Sequence, residues 1–589
     1  MDSRSSGDAQ VAWACALVVA AAFFLVWPFA ELPSSDDWAY THVALQLNQT
    51  GRLIYNGNES AMLVTHAAWG ALFIRIFGLS FTWMRLSTLP WAMAAVAICY
   101  LLVRRADLDR TTAVFVSLLL GLSPMFLPAA TSFMTDVPSL FFLFFCSYSL
   151  ARAYESSRLD SARAASVPNM GGSVHSSRIG QWGWLALGVF SGLLGGTGRQ
   201  TVWLIPLIVL PYLAWVSRRR IAFSLGAASG WVIVLVAMVA MTRWFSRQPY
   251  AVPDPGLGKL VRLAVAIPLI DAGIAARMAL TIFLFVLPAA FPLVRSSWNS
   301  IWTGSRPRKF LTLIFLLSIV LGVVIHPSLA SIPWMASTLS WEGVHGSAEL
   351  SGRPIVLIRP VRVVVSMVVY FSGALLAVEA WYRRRMFRLA LTAVRNPTPP
   401  QFALVTFAAF SAVYVGLLVL RNAYIDIFDR YLLPVIPLAA ALLFTWHKGA
   451  CPADRTQRKG MVTAWSGLAF YSLYAIVGTQ DVLALARARV VATSRLEAAG
   501  VPRTSIDGGY EYNGWTELLV SGHVNIRWVV NPAGAYHSGL GTTPSVQPVY
   551  RLEYQPAPDS APTAFGTVPY FSLLPPFWKQ VSIDRIVRP

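Results

Sequence analysis

Acid is scarce in this chain. Of 589 residues only 27 are Asp or Glu, against 47 Lys and Arg, and charged residues of both signs make up 13%. With 56% hydrophobic residues and a mean hydropathy of +0.56, so little charge excludes a water-soluble globular protein. Cysteine is equally sparse. Cys15, Cys99 and Cys146 lie within apolar segments and Cys451 in a polar loop, which excludes a disulfide framework and any zinc-binding spacing. No repeat of fixed period runs along the sequence, although inverted symmetry of the kind found in transporters does not require one.

What the chain has instead is apolar stretches of about 20 residues, recurring from Val11 to Tyr474. About 13 such spans define an α-helical polytopic membrane protein. The net charge of +20 and pI near 10.2 would suit a nucleic-acid binder if the basic residues formed one patch. They fall instead in alternate loops: Arg104-Arg105, Arg152 with Arg158, Arg218 to Arg220, Arg306 with Arg308 and Lys309, Arg383 to Arg385 with Arg388, and Lys448 with Arg455, Arg458 and Lys459. The positive-inside rule sends all six clusters to the cytoplasm and the N-terminus with them, so the charge reports topology in a multi-pass cell (inner) membrane protein rather than a nucleic-acid partner. Val11 to Ala30 reads as a retained span, because a signal peptide would carry a more positive leader than Arg4 offset by Asp2 and Asp8.

Glu31 to Leu63 form a long external stretch. Ala67 to Gly78, with Arg75 inside an apolar run and Gly78 closing it, predicts a helix lying in the membrane interface. Spans two to four are expected over about Thr82 to Val103, Thr111 to Pro128 and Val137 to Tyr154, and Ser156 to Gly180 has the composition of a mobile cytoplasmic loop. The external loops Thr242 to Leu260 and Pro327 to Pro360 are long enough to fold over a cavity. Span twelve opens with Asp429-Arg430-Tyr431-Leu432-Leu433-Pro434, and span thirteen ends near Tyr474. The expected division is a transmembrane domain over 1–479 and an external C-terminal domain over 480–589. The latter reads as a small α/β unit, with helical periodicity over Ala484 to Ala499 and strand alternation over His523 to Val530 and Val546 to Tyr554.

In a chain so poor in acid, Ser35-Asp36-Asp37-Trp38-Ala39-Tyr40 stands out, directly after the first span. Two adjacent carboxylates repel, so they need a cation, a metal or burial. The same residues also have the composition of a helix cap. Asp136, before Val137-Pro138, is a second external acid and also a plain helix start. Arg199 follows the glycine run Gly195-Gly196-Thr197-Gly198, and Arg430 precedes Tyr431; both are external, and both suit phosphate oxygens through the guanidinium fork. An arginine near a membrane surface can equally snorkel, and Asp426 or Asp429 can pair with Arg430. His66 precedes the interfacial helix, where it can meet a phosphate or simply sit at the interface. In the C-terminal domain, Tyr510, Glu511 and Trp515 combine aromatic faces with polar groups suited to a sugar ring, although Asp507-Gly508-Gly509 is also a turn signal.

Together these motifs resemble the C-type superfamily of membrane glycosyltransferases, near the protein O-mannosyltransferases and the aminoarabinose transferase that modifies lipid A. Asp36-Asp37 stands where that family has an acidic pair in its first external loop, with Asp37 where Glu is usual. Asp136 matches its acid at the external start of the fourth span, and Arg430-Tyr431-Leu432-Leu433-Pro434 its late Arg-Tyr-x-x-Pro segment. The Lys-Pro or His-Pro-Pro element of many relatives is replaced by Val64-Thr65-His66-Ala67. The resemblance covers about Val11 to Tyr474 and implies transfer of a sugar, with inversion, from a polyprenyl-phosphate donor to a hydroxyl on a glycan, lipid or protein. By it Asp36 is the general base, with Asp37 and Asp136 as further catalytic acids. Arg199, Arg430, Tyr431 and His66 then meet the donor phosphate, and Tyr40, Tyr510, Glu511 and Trp515 the sugar or acceptor. A metal, if one takes part, is Mg or Mn held by Asp36 and Asp136.

Two other functions fit the same pattern. A lipid or solute transporter or flippase would place ionisable groups deep in the bilayer, where only Asp271 and Glu379 qualify, both near span ends. An oligosaccharide ligase using a diphosphate-linked donor would share the cationic site.

Overall fold

A computed structural model describes residues 3–166, 180–266, 268–345, 350, 352–382, 394–422, 424, 426–450 and 455–587. Cys451 and the arginines between 383 and 388 lie outside them. Among the described residues ten helices are long and apolar enough to cross a membrane, from Gly7–Leu25 to Lys459–Ala498. Three further apolar helices, Arg110–Gly121, Gln181–Gly198 and Gln200–Val216, lie between these, the first of them where span three is expected. The chain is a multi-pass α-helical membrane protein with a small mixed unit at its C-terminal end.

Proline decides where the spans break. The expected single span from Thr111 to Pro128 is two helices, Arg110–Gly121 and Phe126–Ala130, because Pro124 disfavours helical backbone at Ser123. The second span is likewise divided into Phe81–Leu86 and Leu89–Arg105, with Pro90 in the first turn of the longer piece. The expected loop from Ser156 is also corrected. Helix Asp136–Ser166 runs on for eleven of its residues, through the helix formers Arg158, Leu159, Ala162, Arg163, Ala164 and Ala165, and residues 167–179 lie outside the described part.

At one end of the bundle arginines pair with the few acids there. Arg104 meets Asp8 at 3.2 Å, Arg105 meets Glu155 at 2.8 Å, and Arg308 pairs with the buried Glu379. Glu379, three residues from the end of helix Arg359–Tyr382, is therefore engaged at this margin rather than on a midplane path.

The other end is capped by loops. Helices Asp37–Thr50 and Val64–Phe77 form the first loop, and Gly78 closes the second of them as expected. Arg85, fully buried, ties this loop down by donating to the carbonyls of Pro28, Ala30, Leu32 and Thr131 at 2.8–3.0 Å. A two-stranded hairpin, β1 (Leu339–Ser340) and β2 (Gly343–Val344), folds over from the loop before helix Arg359–Tyr382.

Helix Arg455–Ala498 is 44 residues long and carries the C-terminal unit without a break at residue 479. Against its far half packs a four-stranded sheet in the order β3 (Ile506–Asp507), β4 (Tyr550–Glu553), β6 (Trp578–Ile586), β5 (Ser560–Phe571). Asp481, fully buried, clamps the sheet and the loop before helix Arg359–Tyr382 to this helix through Lys579 at 2.6 Å and Arg353 at 2.7 Å. The strand expected over His523 to Val530 is absent. Asn525 turns that segment into an irregular loop, donating to the carbonyls of His537, Leu540 and Gly541 at 3.0–3.1 Å. Helix Tyr510–Ser521 instead docks the unit onto the first loop, where Gly514 lies so close to Trp38 that an added Cβ would stand 2.7 Å from its ring.

Candidate active site

Six polar motifs, distant in sequence, meet at the loop-capped end. Ser35 holds a left-handed backbone (φ 59°), an expensive conformation for a residue with a side chain, and it turns the chain just before Asp36. Asp36 occupies the N-cap position of helix Asp37–Thr50, yet its side chain caps nothing. It faces away from the helix: Oδ2 accepts from Arg430 Nη2 at 3.0 Å, and Oδ1 accepts from the Tyr510 hydroxyl at 2.7 Å. Burial, and then the Asp36 charge, push the Tyr510 hydroxyl well above its ordinary value of 10, so it stays protonated and donates.

Asp136 opens helix Asp136–Ser166 and is buried. Its Oδ1 accepts from Arg199 Nη1 at 2.6 Å, while Oδ2, with no hydrogen bond of its own, stands 3.9 Å from Arg430 Nε. One carboxylate thus lies between two guanidiniums. Arg199 reaches it because Gly195 and Gly196 let neighbouring helices close in; a Cβ on Gly195 would stand 2.4 Å from Phe142, and one on Gly196 1.9 Å from Trp203. The Arg199 guanidinium also lies 4.8 Å over the Tyr431 ring. Arg430 is fixed by its own 3-10 turn, Asp429–Val435. Asp429 does not pair with the Arg430 side chain. Its carboxylate accepts three backbone N–H groups, from Thr338, Leu339 and Arg430, at 2.7–3.0 Å, which seats the hairpin loop beside the turn.

Arg199, Arg430, Asp136, Tyr40 and Tyr431 line a cleft with about 570 Å³ of open space, together with Arg421, Asp254 and Gln200. Asp36 is not on its wall; it stands behind Arg430, with its side chain 24% exposed. A second, narrow apolar groove adjoins the cleft, sharing Thr135 and Arg199 with it, and is lined by Trp69, Trp91, Phe142 and His66. His66 is stacked on Phe133 with ring centroids 4.0 Å apart, and burial pushes its imidazole down to about 4, so it is neutral at physiological pH.

The structure therefore brings Asp36, Asp136, Arg199, Arg430, Tyr431, Tyr40 and Tyr510 together, with His66 on the adjoining groove. It places three others elsewhere. Asp37 is buried, and both its oxygens take backbone N–H groups, from Ser34 at 2.7 Å and Phe133 at 3.3 Å; burial pushes its carboxyl up to about 7 against the pull of Arg85. Glu511 is a buried tie, accepting from Arg489 at 2.8 Å and from the Ser35 N–H at 3.3 Å. Trp515, on the docking helix itself, packs edge-on against Phe81 and His42. Their polar or aromatic character belongs to holding the first loop and the C-terminal unit together.

Two cleft residues carry no distinctive sequence signal. Arg421 closes an apolar run like any snorkelling arginine, and Asp254 sits in a Pro-Asp-Pro-Gly turn. They pair at 2.9 Å.

The carboxylates do not fit a dedicated divalent-cation site. Asp36 and Asp136 are each engaged by a guanidinium, and among the described residues no group of three or more His, Cys, Asp or Glu could hold a metal.

No protein-family model matches the sequence, and no curated protein does. The chain is similar in structure to the archaeal oligosaccharyltransferase AglB from Archaeoglobus fulgidus, solved with an inhibitory peptide and a dolichol-phosphate, at 14% identity and a TM-score of 0.42; the match covers 82% of this chain and 56% of that one. It is also similar to ArnT from Cupriavidus metallidurans, solved with undecaprenyl phosphate, at 15% identity and a TM-score of 0.35, covering 82% of this chain and 80% of that one. The same protein in its apo state matches over the whole of both chains, at 14% identity and a TM-score of 0.35.

Proposed function

We propose that this chain is a membrane glycosyltransferase that moves a sugar from a polyprenyl-phosphate donor to a hydroxyl acceptor, inverting the anomeric carbon. The observation that carries this reading is the placement of Asp36: its carboxylate is held by Arg430 at 3.0 Å, behind a cleft that Arg199 and Arg421 line. The donor phosphate sits in the cleft on Arg199 and Arg421, and its lipid tail runs into the apolar groove that shares Arg199. The acceptor approaches on the far side of Arg430, where Asp36 is half-buried.

Inversion requires the nucleophile and the leaving group on opposite sides of the reacting carbon, and this arrangement separates them. The acceptor hydroxyl gives its proton to Asp36 as its oxygen bonds to the anomeric carbon. The bond from that carbon to the phosphate oxygen breaks, and polyprenyl phosphate leaves with the electron pair. Arg199 and Arg421 stabilise the charge gathering on the phosphate. Asp136 aims Arg199, and Tyr510 orients the base. By the positive-inside rule we assign this end to the external face, with residues 1–479 as the catalytic membrane domain and 480–589 as an external domain that completes the site.

Asp36→Asn keeps the size and one acceptor of the side chain while removing the base. Transfer from a polyprenyl-phosphate sugar should fall about 100-fold to 10,000-fold, with unchanged membrane insertion. Near-normal transfer by that variant refutes the assignment. Supplying diphosphate-linked oligosaccharide in parallel separates the ligase reading, and lipid flux into liposomes without transfer separates the transporter reading.

A further inference from the structure

The C-terminal sheet ends in an apolar turn that nothing in the proposed chemistry uses. Between β5 and β6 the chain reads Phe571-Ser572-Leu573-Leu574-Pro575-Pro576-Phe577-Trp578, without a single charge. Turns favour Gly, Pro, Asn, Asp and Ser, which accounts for Ser572, Pro575 and Pro576 but not for the leucines and aromatic rings around them, and contiguous exposed apolar surface marks an interaction site. Here Phe571, Leu573, Phe577 and Trp578 are all exposed, Trp578 at 71%, and the Phe571 and Trp578 rings lie 5.6 Å apart.

The position of the turn says what covers it. Strand β5 descends along helix Arg455–Ala498: Arg495 donates to the carbonyl of Thr567, and fifteen residues lower Gln480 accepts from the Leu573 N–H at 2.8 Å. From Lys459 to Thr479 this helix rises about 30 Å, the thickness of the hydrocarbon core. The turn therefore lies where the helix leaves the bilayer. Below it on the same helix Phe470 and Leu473 are exposed at 66% and 61%, so the turn continues a lipid-facing surface. Beside it Trp341 is exposed under the Arg362 guanidinium at 4.3 Å, on a hairpin whose Val344 abuts Gly478. Tryptophans at one level, with arginine beside them, are how membrane proteins mark the headgroup layer.

We propose that the Phe571 to Trp578 turn dips into the headgroup layer of the leaflet from which helix Arg455–Ala498 emerges, seating the C-terminal sheet on the bilayer. The turn acts as a second membrane contact for this unit, beside the helix itself. The test uses the full chain in nanodiscs of phosphatidylcholine and phosphatidylglycerol, with Cys451→Ser to remove one thiol; Cys15, Cys99 and Cys146 are buried. Nitroxide labels are placed singly at Leu573→Cys and Trp578→Cys. The references are Leu473→Cys, exposed on the spanning part of the helix, and Ala499→Cys, about 28 Å above Gln480. Both turn labels should collide with dissolved oxygen more than with a water-soluble nickel chelate, as at 473 and opposite to 499. Nickel accessibility at the turn equal to that at 499 overturns the proposal. Protection from both reagents with a doubled particle mass also overturns it, and assigns the turn to a second copy of the chain.

Discussion

The double pairing of Asp136 makes the strongest quantitative prediction. Arg199 Nη1 lies 2.6 Å from Asp136 Oδ1, with side chains 16% and 4% exposed. Removing one partner of such a pair ordinarily costs about 3–5 kcal/mol, because a buried charge is stranded. In Arg199→Gln the stranded carboxylate still has Arg430 Nε at 3.9 Å, which lowers the expected loss to about 2–3 kcal/mol. In Asp136→Asn the stranded guanidinium keeps the Thr135 hydroxyl at 3.2 Å and the Tyr431 ring at 4.8 Å, so the loss is about 1–2 kcal/mol. Combining the two places one amide against another. Stability should return to within about 1 kcal/mol of the parent, a favourable coupling of about 2–5 kcal/mol between the sites. Transfer should not return, because the phosphate has lost its guanidinium. Thermal unfolding in detergent, read beside transfer of labelled sugar, measures both. Additive losses of stability would show that the pair is not coupled, and wild-type transfer by the double variant would show that Arg199 does not hold the phosphate.

Three further outcomes follow from other parts of the site. Arg421→Gln should lower kcat about tenfold or more, because the charge gathering on the leaving phosphate loses a guanidinium, whereas Asp254→Ala, which frees that guanidinium, should not; steady-state kinetics over donor concentration distinguish them. Gly514→Ala should force helix Tyr510–Ser521 off Trp38, costing about 1–3 kcal/mol of stability and most of the transfer activity, since Tyr510 leaves Asp36 with it. Glu59 is fully buried, and burial pushes its carboxyl from 4.5 up to about 8. An acid that holds its proton longer when folded contributes stability that is complete below 4.5 and lost as pH rises through 8. Glu59→Gln should therefore unfold like the parent in acid and at a higher temperature near about pH 9, as read by thermal melts across pH.

Hydropathy made the ten long membrane-crossing helices legible, since an apolar run long enough to span a bilayer has few other uses. The alternation of arginine loops then separated the two ends, and the structure gathers Asp36, Asp136, Arg199 and Arg430 at one of them. Helix breaks inside spans were less legible, because Pro90 and Pro124 act through local backbone geometry that a hydropathy window averages away. Partnership was least legible of all. Asp36 and Asp37 are neighbours of the same type, yet one faces Arg430 and Tyr510 from distant segments and the other takes backbone N–H groups from Ser34 and Phe133. The fully buried Arg85 holds four carbonyls that no spacing links to it, and Trp515 and Glu511 face the first loop because of how helix Tyr510–Ser521 docks.

The unbroken helix Arg455–Ala498 has a mechanical consequence. Its 44 residues make a rod of about 66 Å that joins the arginine-rich end of the bundle to the sheet. A rod without a hinge transmits tilt to the sheet packed on its far half instead of absorbing it. Bilayer thickness or lateral pressure that tilts the rod would therefore shift the sheet, and with it Tyr510, relative to Asp36.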